Sequence, residues 1–328
     1  MKKTFVILIC TFFCAAVLCA QGLTQRYKNL LTDPEGYVVY RATSPITIDG
    51  IPNEDAWQNA PVIDNFSDIS GEGFPPPLYR TSARILWDDE YLYIAAVLEE
   101  PNVWADIIKH DEVIYQNHDF EVFIDYDNDG QNYFEMEVNA IGTIFDLFLT
   151  KPYYTLHGTF ANFAWDVSGI RFATHINGTL NDDSDNDEGW SVEFAIPKNN
   201  FANSFKNYLT AGCYWRLGFS RVEWQTQNID GKICRKQSKT GSYLPEYNWT
   251  WPATGQINMH MPERWNYISV TPTSSSLKVC GRNIKTGFIT NGATQTATCA
   301  NIREPITATA TTAATTSRLA PASTSRQR

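Results

Sequence analysis

DFEVFIDYDNDGQNYFEMEVNAIGTIFD, residues 119–146, is the stretch whose reading decides the fold. Phe120, Val122 and Ile124 alternate with Glu121, Phe123 and Asp125, the period-two pattern of a strand whose two faces meet different surroundings. Asp127-Asn128-Asp129-Gly130 supplies the turn that must follow, because Asn and Asp tolerate the left-handed backbone region and Gly enters it without a steric penalty. Tyr133 to Val138 and Thr143 to Leu149 read as two further strands, with Gly142 at the break. An antiparallel meander results, with Asp125, Asp127, Asp129, Glu135 and Glu137 on or beside it. Its acidic rim is the feature that a functional reading must explain.

Outward from the meander the chain is again strand-rich. Thr81 to Trp87 and Tyr91 to Leu98, joined by Asp88-Asp89-Glu90, form the cleanest hairpin in the sequence. A second acidic turn, residues 182–189, precedes a strand from Trp190 to Pro197, and Phe201 to Tyr208 reads as a short helix. Tyr214 to Trp224 is a long alternating strand, and Tyr267 to Val270 closes the set. Upstream, Pro45 to Gly50 reads as a short strand into a turn, followed by a capped helical turn that brings Trp57 inward. Ten Trp and sixteen Tyr on short strands suit a β-sandwich core, and equally the flat faces on which sugar rings stack.

Both ends differ from this middle. Met1-Lys2-Lys3, the apolar run Phe5 to Val17 and the small residue closing Leu18-Cys19-Ala20 match a signal peptide over residues 1–20. Lipid attachment at Cys19 is the rival reading, for which Leu18 is a poor fit, and the apolar run is too short for a comfortable membrane span. The protein is therefore expected to be secreted or periplasmic. Residues 21–44 read as a leader and 45–270 as one domain. The Thr/Ala/Ser-rich residues 271–328 are expected to be disordered, having too little apolar surface to offset the entropy of ordering.

Charge excludes several partners. Seven Lys or Arg and one Glu lie beyond residue 270, so residues 1–270 carry −16 against −10 for the whole chain. Phosphate binding needs clustered positive charge, which argues against nucleic acid and anionic membranes. Of the seven cysteines, Cys213 and Cys234 flank a predicted hairpin and are candidates for a disulfide, while Cys280 and Cys299 lie in the tail.

Asp125-x-Asp127-x-Asp129-Gly130 copies the first half of an EF-hand loop, but position twelve is Met136 and the flanks are strands, which excludes an EF-hand. A calcium-stiffened turn and a solvated acidic turn both remain open. Glycoside hydrolysis needs two carboxylates facing each other across a bond, and Glu121, Glu137 and Glu223 are candidates, yet no spacing singles out a pair. No motif indicates an enzyme. Asp111, Tyr115 and His118 cluster just before the meander, where a ligand site and a simple cover for the core edge are equally good readings of Tyr115.

Six blocks in order resemble the family 9 carbohydrate-binding modules and their secreted bacterial relatives. They are ITIDGIPNEDAW (46–57), ARILWDDEYLYIAAVLEEP (83–101), the meander (119–146), GTLNDDSDNDEGWSVEFAIP (178–197), WRLGFSRVEW (215–224) and WTWPATGQINMHMPERW (249–265). The resemblance implies an all-β, immunoglobulin-like β-sandwich with short helices, in whose sugar-binding members aromatic rings flank a terminal sugar while acidic and amide groups bond its hydroxyls. Carried over by position, the hydroxyl-bonding glutamate matches Glu121 and the aromatic before it matches Tyr115. Glu137 stands where binding members place an arginine, and their second stacking tryptophan falls near Met259 and His260, with Trp249 and Trp251 close by as substitutes. The expected ligand set is therefore Tyr115, Glu121, Glu137, Trp249, Trp251 and His260, with Asp125, Asp127 and Asp129 for a structural calcium. The expected function is binding of a polysaccharide or its terminal sugars in support of carbohydrate catabolism. A glycoside hydrolase, or an accessory part of one, and a non-binding relative of the fold are the alternatives.

Overall fold

The computed structural model describes residues 34–155, 158–202 and 208–273. The expected signal peptide, most of the expected leader, the tail beyond Thr273, Cys280, Cys299 and the middle of the helix expected at Phe201 to Tyr208 lie outside the described residues. Lys198–Phe201, at the start of that helix, is a 3₁₀ turn.

The meander sits at one side of the first of two layers. Strands β5 (Asp119–Asp125), β6 (Tyr133–Asn139) and β7 (Ile144–Leu149) pair antiparallel, and the short β8 (Ala161–Asn162) extends them. On its other edge β5 pairs with β11 (Tyr214–Glu223). The far edge of β11 is divided: Tyr214 to Leu217 pair with β15 (Asn266–Val270), and Phe219 to Glu223 with β14 (Tyr247–Trp251), which carries β2 (Ser67–Asp68). The second layer runs β3 (Thr81–Trp87), β4 (Tyr91–Glu99), β10 (Gly189–Pro197) and β9 (Arg171–Asn177).

One strand belongs to both layers. β1 (Gly36–Arg41) lies parallel to β15 through Gly36 to Val39, then parallel to β3 through Tyr40 and Arg41. Part of the expected leader is thus a central element of the domain. A separate hairpin joins β12 (Thr226–Ile229) to β13 (Lys232–Arg235). No helix among the described residues is long and apolar enough to cross a membrane.

Side-chain alternation explains how the layers meet. Phe120, Val122 and Ile124 of β5 and Leu217 and Phe219 of β11 face Ile85, Ile94, Phe194 and Val192 of the second layer in one buried core. The hairpin between β3 and β4 forms where expected because Asp88 Oδ1 accepts the amides of Glu90 at 2.7 Å and Tyr91 at 2.8 Å, closing a side-chain turn.

Pro45 to Gly50 is not a hydrogen-bonded strand, contrary to expectation. Two of its amides go to a buried carboxylate instead, and Thr47 N donates to Glu54 Oε1 at 2.9 Å. Glu193 Oε2 accepts Asp49 N at 3.2 Å and Gly50 N at 3.0 Å, and its Oε1 accepts Trp57 Nε1 at 2.8 Å. Gly50 has φ 87°, and a Cβ there would come within 2.6 Å of the Thr174 backbone, so no larger residue fits this crossing. Trp57 points inward as predicted, within a 3₁₀ turn (Trp57–Asn59) over the outer face of the second layer.

Cys213 and Cys234 are both free, and the expected disulfide is absent. Cys213 precedes the ten-residue strand β11, which spans about 33 Å, while Cys234 is held across the small hairpin from Gln227.

Residues just after Val270 also make contacts that the composition did not suggest. Thr271 N donates to Val39 O at 3.0 Å, Arg41 N donates to Thr273 O at 3.0 Å, and Trp87 Nε1 donates to Thr271 O at 2.8 Å. A chain ending at Thr273 is expected to melt like the full chain. One ending at Val270 forfeits three hydrogen bonds of about 0.5–1.5 kcal/mol each, and at roughly 2–4 °C per kcal/mol its Tm is expected to fall by several degrees in differential scanning calorimetry.

Candidate functional site

The odd-numbered residues of the meander face away from the core. Glu121 lies opposite Glu137 and Phe123 opposite Glu135, and in the next pair Glu137 lies opposite Phe145 and Glu135 opposite Leu147. These side chains form the floor of a cleft of about 470 Å³. The 3₁₀ turn Ile114–Gln116 contributes Tyr115, the segment 257–260 contributes Ile257, Asn258, Met259 and His260, and the chain after β7 contributes Tyr153 and Phe163. The glutamates are buried, whereas Tyr115, Tyr153 and Phe163 are 43%, 48% and 57% exposed. Rings therefore surround a carboxylate floor.

The floor is unusual in its charge. Among the described residues no Lys or Arg lines the cleft. Burial pushes Glu121 up to about 7, and burial with the neighbouring charges holds Asp119, Glu135 and Glu137 well above the usual carboxylate range. Oxygens of Asp119, Glu121 and Glu137 lie within 4.8 Å of one another, so not all of them ionise together near neutral pH. Two groups are anchored from outside the floor: Glu137 Oε2 accepts Tyr115 N at 2.9 Å, and Asp119 Oδ1 accepts Val222 N at 3.0 Å. The first of these bonds ties the aromatic rim to the floor. Desolvation pulls His260 down to about 4, leaving it neutral, with Nδ1 hydrogen-bonded to the Tyr133 hydroxyl at 3.1 Å. Its other ring nitrogen faces Glu135 at 3.9 Å.

Four of the six expected ligand residues meet here: Tyr115, Glu121, Glu137 and His260. Trp249 and Trp251 do not line the cleft. Their register opposite Arg221 and Phe219 points both toward the inside of the sandwich, where Trp251 packs on Tyr37 and Phe219, and Trp249 lies between Tyr79, Tyr247 and the Arg221 guanidinium. Glu135 was legible from its two-residue offset from Glu137. Tyr153 and Phe163 were not, since both lie on irregular chain whose approach to the cleft is set by long-range packing.

Asp125, Asp127 and Asp129 come together at the far end of β5, with oxygens within 4.8 Å of one another. Asp125 already accepts Asn128 N at 2.8 Å and Gly130 N at 2.9 Å. Asn128 and Gly130 take φ 69° and 76°, the left-handed conformations that this sequence favours.

Glu223, the third carboxylate considered for hydrolysis, is on the opposite face of the sheet. Arg221 Nη2 lies 2.9 Å from Glu223 and 3.0 Å from Glu100, and His118 bridges the two carboxylates at 3.3 Å each. Burial pushes Glu100 up to about 8.

Comparison with known proteins agrees with this architecture. The family model described as carbohydrate family 9 binding domain-like matches residues 48–211, and the chain belongs to that family. Among solved structures, a Bacteroides uniformis protein proposed to bind carbohydrate is 13% identical, with a TM-score of 0.51 over 73% of this chain and 100% of that chain. A family 9 carbohydrate-binding module from Caldicellulosiruptor kristjanssonii in complex with cellotriose is 16% identical, covering 76% of this chain and 100% of that one with a TM-score of 0.44. A module of the same family and organism in complex with glucose is 17% identical, with corresponding coverage of 74% and 100% and a TM-score of 0.43. No curated protein matches the chain. At 13% identity the likeness to the Bacteroides uniformis protein is one of fold, and it agrees with the β-sandwich.

The raised carboxyls predict a stability effect of definite sign. A carboxyl whose folded pKa exceeds its unfolded value favours folding below the unfolded value and loses that contribution as pH rises through the folded one. Glu121→Gln and Glu137→Gln keep the shape without the ionisation. Both variants are expected to melt higher than the parent at pH 8, with the difference shrinking toward pH 5. Destabilisation of both at pH 8 as large as at pH 5 would contradict this account of the floor.

Proposed function

We propose that this chain is a secreted protein that binds a neutral polysaccharide or its terminal sugars in the cleft over β5 and β6, assisting carbohydrate catabolism without cleaving the glycan. The observation that carries the reading is the combination of exposed rings, Tyr115, Tyr153 and Phe163, with the hydroxyl-accepting carboxyls Glu121, Glu135 and Glu137. A sugar ring offers an apolar face to the aromatics and hydroxyls to the carboxyls. A uronate or sulfated sugar would find no Lys or Arg among the described lining residues to pair with its charge. Family membership supports the same reading. Secretion is supported by the basic start, apolar run and small residue over residues 1–20.

Hydrolysis is the less favoured reading. Glu121 and Glu137 are side-by-side neighbours on adjacent strands, whereas glycosidases place their two carboxyls on either side of the scissile bond. Glu223 is engaged with Arg221 on the other face.

Affinity electrophoresis against neutral polysaccharides tests the proposal. Tyr115→Ala and Glu121→Gln are each expected to weaken retention by ~1 kcal/mol or more, about fivefold in affinity, with unchanged circular dichroism. Full retention by both variants would remove the site from this cleft. Release of reducing ends by the parent protein would favour the hydrolase.

The proposal includes a structural calcium ion on Asp125, Asp127 and Asp129, supported by their convergence and by a buried Asp127 Oδ1 with no hydrogen-bond partner. Calcium at ~100 times its Kd would add roughly 2.7 kcal/mol to stability. Melting is expected to rise with calcium and fall with chelator, and Asp127→Asn with Asp129→Asn should abolish the response. Identical melting curves for the parent under both conditions would withdraw the ion.

A further inference from the structure

On the face of β7 opposite the cleft, a second cavity of about 440 Å³ is lined by His110, Asp146 and Asp166 together with Ile144, Val167 and Phe172. Asp146 stands opposite Met136 of β6, whose side chain enters the main core, so it projects away from Phe145 and Leu147 of the cleft. Three separate segments meet at this point. Asp111 N donates to Ile144 O at 3.2 Å, which fixes the loop bearing His110 against β7. Val167 N donates to Asp146 Oδ2 at 2.5 Å, which fixes the segment bearing Asp166.

Asp146 is 2% exposed, and its second oxygen, Oδ1, is buried with no hydrogen-bond partner. An ionisable oxygen left in that condition is costly unless something positive meets it. The group that faces it is His110, whose Nε2 lies 3.6 Å from Asp146 Oδ1 and 3.7 Å from Asp166 Oδ1. Both separations are too long for a hydrogen bond. They are close to the ~3.4 Å between neighbouring ligand atoms when nitrogen and oxygen surround a tetrahedral metal at about 2.0–2.1 Å. The other nitrogen, Nδ1, is 3.1 Å from Asp111 Oδ1. A carboxylate this close to Nδ1 favours the proton there by charge and leaves Nε2 bare toward the two aspartates, as carboxylates beside metal-binding histidines do.

We propose that His110 Nε2, Asp146 Oδ1 and Asp166 Oδ1 bind one zinc ion, with Asp111 positioning the imidazole and the fourth coordination position open to the cavity. One nitrogen and two oxygens suit a borderline divalent transition ion. Calcium, which takes six to eight oxygens, is poorly served by an imidazole and so few carboxylates. The ion ties the 108–112 loop and the 163–167 segment to β7. The first leads into the turn bearing Tyr115 and the second begins at Phe163, so the metal also steadies two rings of the cleft. The site itself is independent of what the cleft binds.

Isothermal titration of the full chain, stripped with chelator and titrated with zinc chloride, tests the proposal, and cobalt(II) reports the coordination by its visible spectrum. The expected result is one zinc per chain and a tetrahedral cobalt spectrum. His110 and Asp166 are half and largely exposed, so His110→Gln and Asp166→Asn should fold normally and lower zinc affinity by at least tenfold. Asp111→Asn should lower it by about 10–100-fold, as loss of a partner to a metal-bound histidine does. Asp127→Asn with Asp129→Asn, at the distant turn, should leave it unchanged. Absence of zinc binding by the parent, or binding undiminished by His110→Gln and Asp166→Asn, would overturn the assignment whatever the cleft is found to bind.

Discussion

The antiparallel register that sets Glu121 opposite Glu137 and Phe123 opposite Glu135 is the constraint on which the molecule depends. Because strand side chains alternate, the register that places Phe120, Val122, Ile124, Met136 and Val138 in the core must place four acidic groups together on the other face. A slip of one residue would bury those carboxyls between the layers. The apolar side of the meander therefore holds the polar side in place, and the core stabilises an acidic floor that repels itself.

The two buried charge clusters handle that repulsion differently. Beside the core, Arg221 sits between Glu100 and Glu223, so a guanidinium meets both side chains within the protein, and Glu100, pushed up to about 8, keeps its proton. Removing one member of such a group leaves a buried charge uncompensated, typically at about 3–5 kcal/mol. In the cleft no Lys or Arg is supplied among the described residues, and the carboxyls retain protons without one. The first arrangement carries its own cation. The second leaves donors and acceptors free to meet a ligand.

Much of this was legible in the sequence. Alternation located β5, β6, β7, β10 and β11, and the Asp88 turn fixed the β3–β4 hairpin, because in each case the signal is local. Glu121, Glu137 and Tyr115 followed from the same pattern and from the family resemblance. β1 escaped because GYVVYR gains its hydrogen bonds from parallel partners distant in sequence. Pro45 to Gly50 looked like a strand, but the amides of Asp49 and Gly50 were claimed by Glu193, which no local pattern announces. Trp249 and Trp251 were misplaced for a different reason: an indole serves a core and a sugar equally well, and only the pairing of β14 with β11 decides which face it occupies. Cys213 and Cys234 flank a hairpin in sequence, yet the length of β11 separates them.

The insertion of β1 between β15 and β3 has a consequence in time as well as in space. Glu35 N reaches Asn266 Oδ1 across 231 residues, and the parallel ladder beside it is equally non-local. A ribosome must deliver nearly the whole domain before this pairing can form, and closing so large a loop costs entropy before any contact repays it. The local hairpins are available early, but the seam between the layers is not. Until the last strand arrives, Tyr37 and Trp251, which meet in the core, have no partner in each other, and the nascent chain carries open sheet edges and apolar surface. Among the described strands, the meeting of β1 and β15 is accordingly the pairing that closes the largest loop.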